Sequence, residues 1–516
     1  MPGPLQNEAM SEASEHSSTA RRRNWWILTG SILAAMGLFS SVFLVVLEVI
    51  LDAAPYLGAL YLLFALVIVI GLLLLVVGFI HRRRFPDPER KEFAAKLRFT
   101  VDLAKRSHFY AIVSTFMTSL LVLALLSFGS YKSYRATESA SFCGELCHSV
   151  MHPEWTTYQT SSHARVACVE CHIGEGVDWF VKSKIDGLRQ IWAVTTNSFS
   201  RPIPTPIHNL RPARETCEQC HWAQKFIGYK ELVRAYTLSD EENTPHRLRM
   251  LLKIGGEQAG FMKGSGIHYH MLMAAKVEYI ATDERRQDIP WVRVTRADGS
   301  VSEFDDVDYP LSEADKATAE VRTMDCMDCH NRPAHQFAAP MSSVNMAIEQ
   351  GAISRSLPYV KVQAVQALSQ QYGATDEAMV GIANDLRNYY REEYPQFLED
   401  GSEELAQAIQ AVQAIYQRSI FPAMQADWSA YPDNIGHHYS PGCFRCHNER
   451  MQSAAGENIF TTCDKCHLIL AQGESIDEVN VNFRTGLAFV HPEDDSTIED
   501  YQDCVDCHTG GGGVYE

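Results

Sequence analysis

Apolar residues are concentrated in three long runs near the N-terminus, at residues 25–50, 57–80 and 109–129. Each run exceeds the about 20 residues that a helix needs to cross a bilayer. The first run is similar to the apolar core of a signal peptide, but it is longer, lacks a clear small-residue cleavage site and leads directly into the second run. The pattern therefore predicts three retained transmembrane helices.

Beyond about residue 130 the apolar pattern changes to that of an aqueous domain. Residues 276–304 contain alternating, β-branched runs around an Asp298-Gly299 turn, which predicts a β-hairpin. Residues 361–420 contain helical patterns, and Pro395 and Gly401 break them into at least two helices. We expect this helical segment to pack between two regions rich in cysteine.

Basic residues flank the three apolar runs asymmetrically. Three arginines precede the first run, and nine lysines and arginines lie within residues 81–108, whereas the turn between the first two runs carries only Asp52. Because positive residues stay on the cytoplasmic side, the N-terminus and the 81–108 loop are predicted to be cytoplasmic. Everything after about residue 130 then lies on the opposite face, which is the periplasm of a bacterium.

Net charge divides at the same point. The whole chain carries −18, with +3 in residues 1–106 and −21 in the remainder. An acidic exported part argues against nucleic acid as a partner and suits a basic or metal-bearing partner. The three runs contain no histidine deep within them, so the membrane part is predicted to be an anchor without a b-type haem.

All 14 cysteines fall in seven close pairs, and a histidine follows the second cysteine of every pair. Six pairs have the two intervening residues of a c-type haem attachment site, and the first pair has three. Disulfides and zinc knuckles are the alternatives, but neither requires a histidine after each pair. The motifs predict seven covalently bound haem c groups at Cys143/Cys147, Cys168/Cys171, Cys217/Cys220, Cys326/Cys329, Cys443/Cys446, Cys463/Cys466 and Cys504/Cys507. The proximal iron ligands are predicted to be His148, His172, His221, His330, His447, His467 and His508.

A second axial ligand decides whether a haem relays electrons or acts on a substrate. Ten histidines outside the motifs lie in the predicted periplasmic part, enough for mostly bis-histidine, low-spin haems. The candidates are His163, His208, His335 and His491, which lie 5 to 13 residues from a motif, one of His268 and His270, and one of His437 and His438. His246 is the weakest choice.

Residues 143–195 contain the stretches "CGELCHSVMHPEW", "YQTSSHARVACVECHIGEG" and "VKSKIDGLRQIW", and "CMDCHNRPAH" follows later. This order resembles the NapC/NirT/NrfH family of membrane-anchored multihaem quinol dehydrogenases. The resemblance covers roughly residues 109–225 and 324–336, and the third apolar run corresponds to the single anchor of the family. The whole architecture is similar to the seven-haem inner-membrane cytochromes of this group, the ImcH type.

The resemblance implies that menaquinol or ubiquinol is oxidised beside the first haem, at the outer face of the membrane. It implies Met151 as a sixth ligand of that haem, with His152 as an alternative. It also implies that His163 and His335 are distal ligands to haems of other motifs. The family uses a lysine near this site, and Lys182 and Lys184 are the two matches.

Residues 177–192 form an amphipathic helical pattern with one apolar stripe. The stripe predicts either an ordinary helix that covers a core or a helix that lies on the membrane surface. Quinol oxidation needs an apolar slot, a group that binds the hydroxyl and a proton acceptor. The candidates for the polar roles are Lys182, Lys184, Asp186, Gln190 and Glu154.

These observations predict a membrane-anchored multihaem cytochrome c, with three transmembrane helices and a mainly α, haem-packed periplasmic region that carries a small β-hairpin insert. The predicted domains are a cytoplasmic N-terminus (1–24), a membrane anchor (25–130), a four-haem module (131–345) with a β-rich insert (222–325), a helical connector (346–436) and a three-haem module (437–516).

The predicted function is electron transfer from the quinone pool, through seven haems, to a periplasmic cytochrome or other redox acceptor. The alternatives are a conduit subunit that depends on membrane partner subunits, flow in reverse toward quinone, and a haem enzyme that reduces nitrite or sulfite.

Overall fold

The computed structural model describes fourteen stretches of the chain, which form two compact units. The described residues are 26, 28–41, 58–84, 105–145, 148–174, 176–207, 211–222, 225–255, 266–271, 275–399, 402–459, 462–477, 484–492 and 504–511. The first unit comprises the chain up to Glu138 together with Glu175–Lys184, and the second comprises Ser139–Gly174 and the chain from Ile185 onward.

The first unit is helical. Residues 28–41 are helical, and two longer helices follow, α1 (Gly58–Arg84) and α2 (Arg106–Thr137). Counting only the residues that the structure describes, no helix combines the length and the apolar character required of a membrane span. Most of the loop that the sequence places in the cytoplasm, residues 85–104, lies outside the described residues.

The second unit begins with short helices that carry the first three cysteine motifs. These are α3 (Ala140–Glu145), α4 (His148–Gln159), α5 (Cys168–His172), α6 (Val177–Thr195), of which the first eight residues belong to the first unit, and α7 (Ala213–Cys217). Further along, α8 (Glu313–Thr318) precedes α9 (Cys326–Cys329) of the fourth motif. The fifth and sixth motifs lie on 3₁₀ turns, Gly442–Arg445 and Cys463–Lys465, and the seventh on α15 (Cys504–Cys507).

The hairpin that the sequence predicts within residues 276–304 is part of a larger antiparallel sheet, and a second antiparallel sheet accompanies it. The first has the order β1 (Gly228–Thr237), β2 (Pro245–Gly255), β8 (His467–Gly473). The second has the order β6 (Arg322–Thr323), β3 (Ala275–Ile280), β4 (Trp291–Arg296), β5 (Val301–Asp306), β7 (Met451–Ser453). The Asp298-Gly299 turn is present between β4 and β5, with Gly299 at positive φ. The hairpin is therefore confirmed. The local pattern does not reveal that each sheet also takes a strand from the C-terminal region.

The helical connector contains α10 (Pro340–Glu349), α11 (Val360–Ser369), α12 (Thr375–Glu393), α13 (Gln396–Glu399) and α14 (Ser402–Ser419). The helices that the sequence periodicity predicts are thereby confirmed, with α12 ending just before Pro395. Their apolar faces form the largest buried cluster of the second unit, which includes Ile382, Leu386 and Val412. Full burial of such a side chain contributes about 1.5–3 kcal/mol to stability. The bundle is therefore stabilised by the packing of its own apolar side chains.

The turn between β1 and β2 is fastened to this bundle. The side-chain amide of Asn243 donates to the carbonyl of Leu357 at 2.8 Å, and the Lys361 N–H donates to the Asn243 side chain at 3.2 Å. Asn243 has positive φ and is fully buried, so its amide replaces water for backbone groups at the start of α11. The bundle therefore supports the sheet that holds the sixth motif.

Candidate haem-binding sites

Each cysteine motif with two intervening residues forms a helical turn that aligns its reactive groups. The N–H of the motif histidine donates to the carbonyl of the first cysteine, at 2.8 Å in motifs three, four and seven and at 3.0 Å in motif five. Residues at i, i+3 and i+4 share one face of a helix. The two thiols and the imidazole of one motif therefore leave the turn on the same side, as attachment of one planar group requires.

Six motif histidines each face a second histidine from another part of the chain. The ring centroids are 6.3 Å apart for His172 and His335, 6.0 Å for His221 and His163, 6.3 Å for His330 and His268, 5.7 Å for His447 and His270, 6.2 Å for His467 and His437, and 6.1 Å for His508 and His491. Cys147, His208 and the side chain of His148 lie outside the described residues. The six pairs give each described motif histidine a partner.

The spacing of these pairs fits a shared metal ion. A first-row metal takes imidazole nitrogens at about 2.0–2.1 Å, so two imidazoles on opposite sides of it have nitrogens about 4 Å apart and ring centres about 6 Å apart. The Nε2 atoms of His270 and His447 are 3.5 Å apart, which is close to this value. Haem iron accepts two such axial ligands, and the residues present fit that group.

The second ring nitrogen of four partner histidines points at a backbone carbonyl. The Nδ1–H groups donate to Pro333 (from His163, 3.0 Å), Ile254 (from His268, 3.0 Å), Ile267 (from His270, 3.1 Å) and Glu154 (from His335, 2.9 Å). A carbonyl only accepts, so the proton of the neutral ring resides on Nδ1 and Nε2 keeps its lone pair. This arrangement is typical of histidines that ligate a metal through Nε2.

These imidazoles are held neutral. Desolvation, reinforced by the facing imidazole, lowers the pKa of His270 to about 4, and the same two causes lower the pKa of His467 to about 4. Desolvation also lowers the pKa of His335 to about 4, against the hydrogen bond to Glu154. A neutral imidazole is the form that binds iron, so at physiological pH these rings are in the protonation state that iron binding requires.

Thiols of successive motifs lie close to one another in chain order. The Cys143 thiol hydrogen-bonds to Cys168 of motif two and lowers its pKa to about 7, and a similar bond joins Cys217 of motif three to Cys326 of motif four. Burial raises the pKa of the Cys171, Cys329 and Cys466 thiols, and a thiol of another motif adds to each rise. That thiol is Cys220 for Cys171, and Cys443 for both Cys329 and Cys466. His437, which faces His467 of motif six, lies with its Nδ1 3.8 Å from the Cys504 sulfur of motif seven. The seven motifs therefore form a series in which each adjoins the next.

The seventh motif has two histidines beside it. His508 faces His491 at 6.1 Å, whereas the ring centroid of His438 is only 4.6 Å away and also contacts Tyr236. Burial and the nearby His491 ring lower the pKa of His246, whose buried Nε2 has no hydrogen-bond partner among the described residues. The spacing required for a shared metal selects His491, and His438 is too close to His508 for an atom between the rings.

The first motif contains the wider, three-residue gap. Gly144 within this gap is buried under the indole ring of Trp155, and a Cβ at this position would overlap that ring. Of the two predicted ligands, Met151 is half-buried, and His152 is exposed with its ring 5.3 Å from that of Phe421. The first thiol of this motif, Cys143, adjoins motif two, so motif one begins the series.

The predicted quinol-site residues fall in different places. The Lys182 amine lies 4.8 Å from the Trp179 ring and the Lys184 amine 4.9 Å from the Phe180 ring, all in the first unit. Asp186 and Gln190 continue along α6 in the second unit, half-buried and exposed respectively. Glu154 lies on α4, and its backbone carbonyl accepts the hydrogen bond from His335. Desolvation raises the pKa of its carboxyl group, whose buried Oε2 has no hydrogen-bond partner within the part of the chain that the structure describes.

The C-terminal half of α6 exposes its apolar stripe. Ile185 is 63% exposed, Leu188 69% and Trp192 69%. A helix that covered a core would bury these positions, so this face is free in the described structure. Of the two interpretations of the amphipathic pattern, exposure favours the surface-lying helix.

Sequence reasoning missed several polar residues that hold the motifs in place. The buried Asp328, within motif four, accepts from the Tyr279 hydroxyl at 2.5 Å and from Arg286 at 3.1 Å. Arg445, within motif five, donates to the carbonyls of Arg286 and Asp328. The sequence signal for these roles is the position of Asp328 and Arg445 between the two cysteines of a motif. The motif rule accepts any residue there, and only the fold shows which of these side chains contact neighbouring segments.

The known proteins that resemble this chain are c-type cytochromes. A family model described as the NapC/NirT cytochrome c family, N-terminal region, matches residues 105–225. The chain is 41% identical over 487 residues to the cytochrome c-type protein ImcH of Geobacter sulfurreducens, which covers 93% of this chain and 94% of that protein. It is 30% identical over 105 residues to the cytochrome c-type protein NrfH of Wolinella succinogenes, which covers 20% of this chain and 59% of that protein. No solved structure matches the chain.

Proposed function

The chain belongs to the NapC/NirT cytochrome c family, and on this basis we propose that it carries electrons from membrane quinol, through c-type haems at its seven motifs, to a periplasmic acceptor. The observation that carries the proposal is the set of six histidine pairs whose centroids are 5.7–6.3 Å apart. When bound, the haems supply one-electron carriers. The paired imidazoles would occupy both axial positions of each iron, which suits a relay and leaves no position for nitrite or sulfite at these six sites.

The order of the motifs supports a directional path. Thiol hydrogen bonds link motif one to motif two and motif three to motif four, and electrostatic interactions between thiols link motif two to three, four to five and five to six. His437, which faces motif six, lies beside Cys504 of motif seven. The sequence places motif one directly after the third apolar run, so electrons would enter beside the membrane and leave from the C-terminal region. In this proposal the chain is anchored in the bacterial inner membrane, with its N-terminus in the cytoplasm and its haem region in the periplasm.

The quinol site is proposed to lie along α6. The exposed stripe of Ile185, Leu188 and Trp192 suits the boundary between headgroups and acyl chains, where aromatic residues are favoured. Lys182 and Lys184 are the proposed groups for the quinol hydroxyl, with Asp186 and Gln190 further along the helix. Glu154 is a proposed proton acceptor.

The experiment that tests this function is reduction of the purified, oxidised holoprotein by a menaquinol analogue, followed by the haem absorbance. We expect reduction in the wild type and at least tenfold slower reduction in a Lys182→Ala/Lys184→Ala variant. The matched control is Lys230→Ala/Lys276→Ala, which removes two exposed lysines from the sheets. Absence of reduction in the wild type would contradict the proposal and would instead indicate a conduit that depends on a partner subunit. Intact mass gives the haem number, with seven expected.

A further inference from the structure

The side chain of Arg445 joins three separate segments of backbone. Its Nε donates to the Gly442 carbonyl at 2.8 Å, and its two terminal nitrogens donate to the carbonyls of Arg286 at 2.7 Å and Asp328 at 2.6 Å. Asp328 belongs to motif four, whereas Gly442 and Arg445 belong to the turn of motif five. A planar guanidinium has the fork of donors that such a bridge requires.

Neighbouring residues reinforce the same junction. The backbone N–H of Asn434 donates to the Asn331 side chain at 3.0 Å, and the side-chain amide of Asn434 donates to the Asp328 carbonyl at 3.1 Å. The amide of Asn331, immediately after His330 of motif four, donates to the Pro432 carbonyl at 2.8 Å. The loop before motif five is therefore hydrogen-bonded directly to motif four, although more than 100 residues of chain separate them.

The turn that presents Arg445 is sterically specific. Gly442 has positive φ, and a Cβ there would overlap the carbonyl oxygen of Gly436. The Cys443 N–H donates to that same carbonyl at 2.8 Å. The backbone of motif five is consequently fixed, and the direction of the Arg445 side chain is fixed with it.

The charge of Arg445 acts on both motifs. The guanidinium group lies within hydrogen-bond distance of the backbone of both motifs, at Gly442 in the turn of motif five and at Asp328 in motif four. A fixed cation between two redox centres favours their reduced forms, since reduction adds negative charge. Arg445 therefore combines a geometric and an electrostatic connection between the two sites.

We propose that Arg445 is a positioning residue that fixes the haem sites of motifs four and five relative to each other, and that its charge raises the reduction potentials of the haems bound there. The inference rests on the proposed electron path, because motif four ends the part that resembles the quinol dehydrogenases and motif five begins the C-terminal three-motif region. Arg445 then controls the rate of electron transfer between the haems of motifs four and five, where the two regions meet.

The test compares Arg445→Gln, Arg445→Lys and the control Arg418→Gln, which removes an exposed arginine at the end of α14. Holoproteins of equal haem content, checked by intact mass, are titrated optically with a chemical reductant and redox mediators. We expect Arg445→Gln to lower the potentials of two haems and leave the others unchanged. Arg445→Lys keeps the charge, so its potentials should stay near those of the wild type.

Kinetics separate position from charge. After rapid mixing with reductant, the haems beyond motif four should reduce at least several-fold more slowly in both Arg445 variants. The single ammonium nitrogen of lysine cannot span the three carbonyls that the three separate guanidinium nitrogens of arginine reach. Potentials and rates equal to those of Arg418→Gln in both variants would overturn the proposal. If Arg445→Gln binds fewer haems, Arg445→Lys decides alone, and an unchanged rate in it overturns the proposal. The titration uses no quinol, so failure of quinol oxidation leaves this test intact.

Discussion

The Nε2 atoms of His270 and His447 lie 3.5 Å apart, although 177 positions separate the two residues in the sequence. His268, two residues before His270, faces His330 of motif four. One short segment after β2 therefore supplies facing imidazoles to two consecutive motifs. Because Nδ1 of each ring donates to a backbone carbonyl, neither ring is free to rotate.

Replacement of His270 tests this arrangement. His270→Ala should convert one low-spin haem into a five-coordinate, high-spin haem, because no other described imidazole faces His447 within the range of the six pairs. Electron paramagnetic resonance and the room-temperature absorption spectrum of the oxidised holoprotein measure the change. The matched control is His246→Ala, which removes a histidine that faces no motif histidine in the described structure and should leave every haem low-spin. An entirely low-spin His270→Ala protein would contradict the pairing.

The two histidines beside His508 give a second prediction. His491→Ala should remove the sixth ligand of the haem at motif seven, because His491 has the spacing that a shared iron requires. His438→Ala should leave that haem six-coordinate, because His438 is only 4.6 Å from His508. Spin state and haem content of the two variants check the assignment, and the reverse outcome would assign His438 as the ligand.

The first motif gives a prediction about attachment. Gly144→Ala should displace Trp155 and lower haem attachment at Cys143 and Cys147, because the added methyl group overlaps the indole ring. The mass of the protein should then fall by one haem in a substantial fraction of molecules. Gly187→Ala is the control, since a Cβ there meets no atom within 4 Å and alanine favours a helix over glycine by about 0.5–1 kcal/mol. Full haem content in Gly144→Ala would show that the wider loop tolerates a side chain.

The hydroxyl of Tyr279 gives a prediction about stability. Tyr279→Phe removes a 2.5 Å hydrogen bond to the buried carboxylate of Asp328 and should lower the free energy of unfolding by about 1.5–3 kcal/mol, the range for hydrogen bonds to charged groups. Denaturant unfolding followed by far-UV circular dichroism measures it. Tyr309→Phe, at a tyrosine that is 70% exposed, should change stability little. Equal stabilities of the two variants would mean that Arg286 and the Asp325 N–H are together sufficient partners for the Asp328 carboxylate.

Local features of the site were accessible from the sequence, and long-range ones were not. The helical turn of each motif and the helices of the connector depend on residues a few positions apart, so spacing predicts them. The pairing of histidines does not follow spacing. His163 lies five residues before motif two but faces His221 of motif three, and His335 lies five residues after motif four but faces His172 of motif two.

The doublets illustrate the same limit. The sequence favours one of His268 and His270 as a ligand, yet the structure turns the two toward motifs four and five. Side chains at neighbouring positions point in different directions. Only the folded structure shows that a motif lies in the direction of each of these two histidines. Within the insert predicted to be β-rich (222–325), the sequence does not locate β1 and β2 individually, because both strands carry charged residues at many positions and so lack a clean alternation of apolar and polar residues.

The strands β7 and β8 have a consequence for the order of assembly. β8 pairs with β2 and β7 pairs with β5, so neither sheet is complete until residues that follow motif five have joined it. Until those residues have folded into place, β2 and β5 present open strand edges of the kind that other chains can join. In chain order, the first five cysteine motifs precede both strands that close the sheets. On the proposed function, haem attachment at these motifs would therefore have an interval before the sheets close, and a protein truncated after the connector would keep both edges exposed and be prone to aggregate.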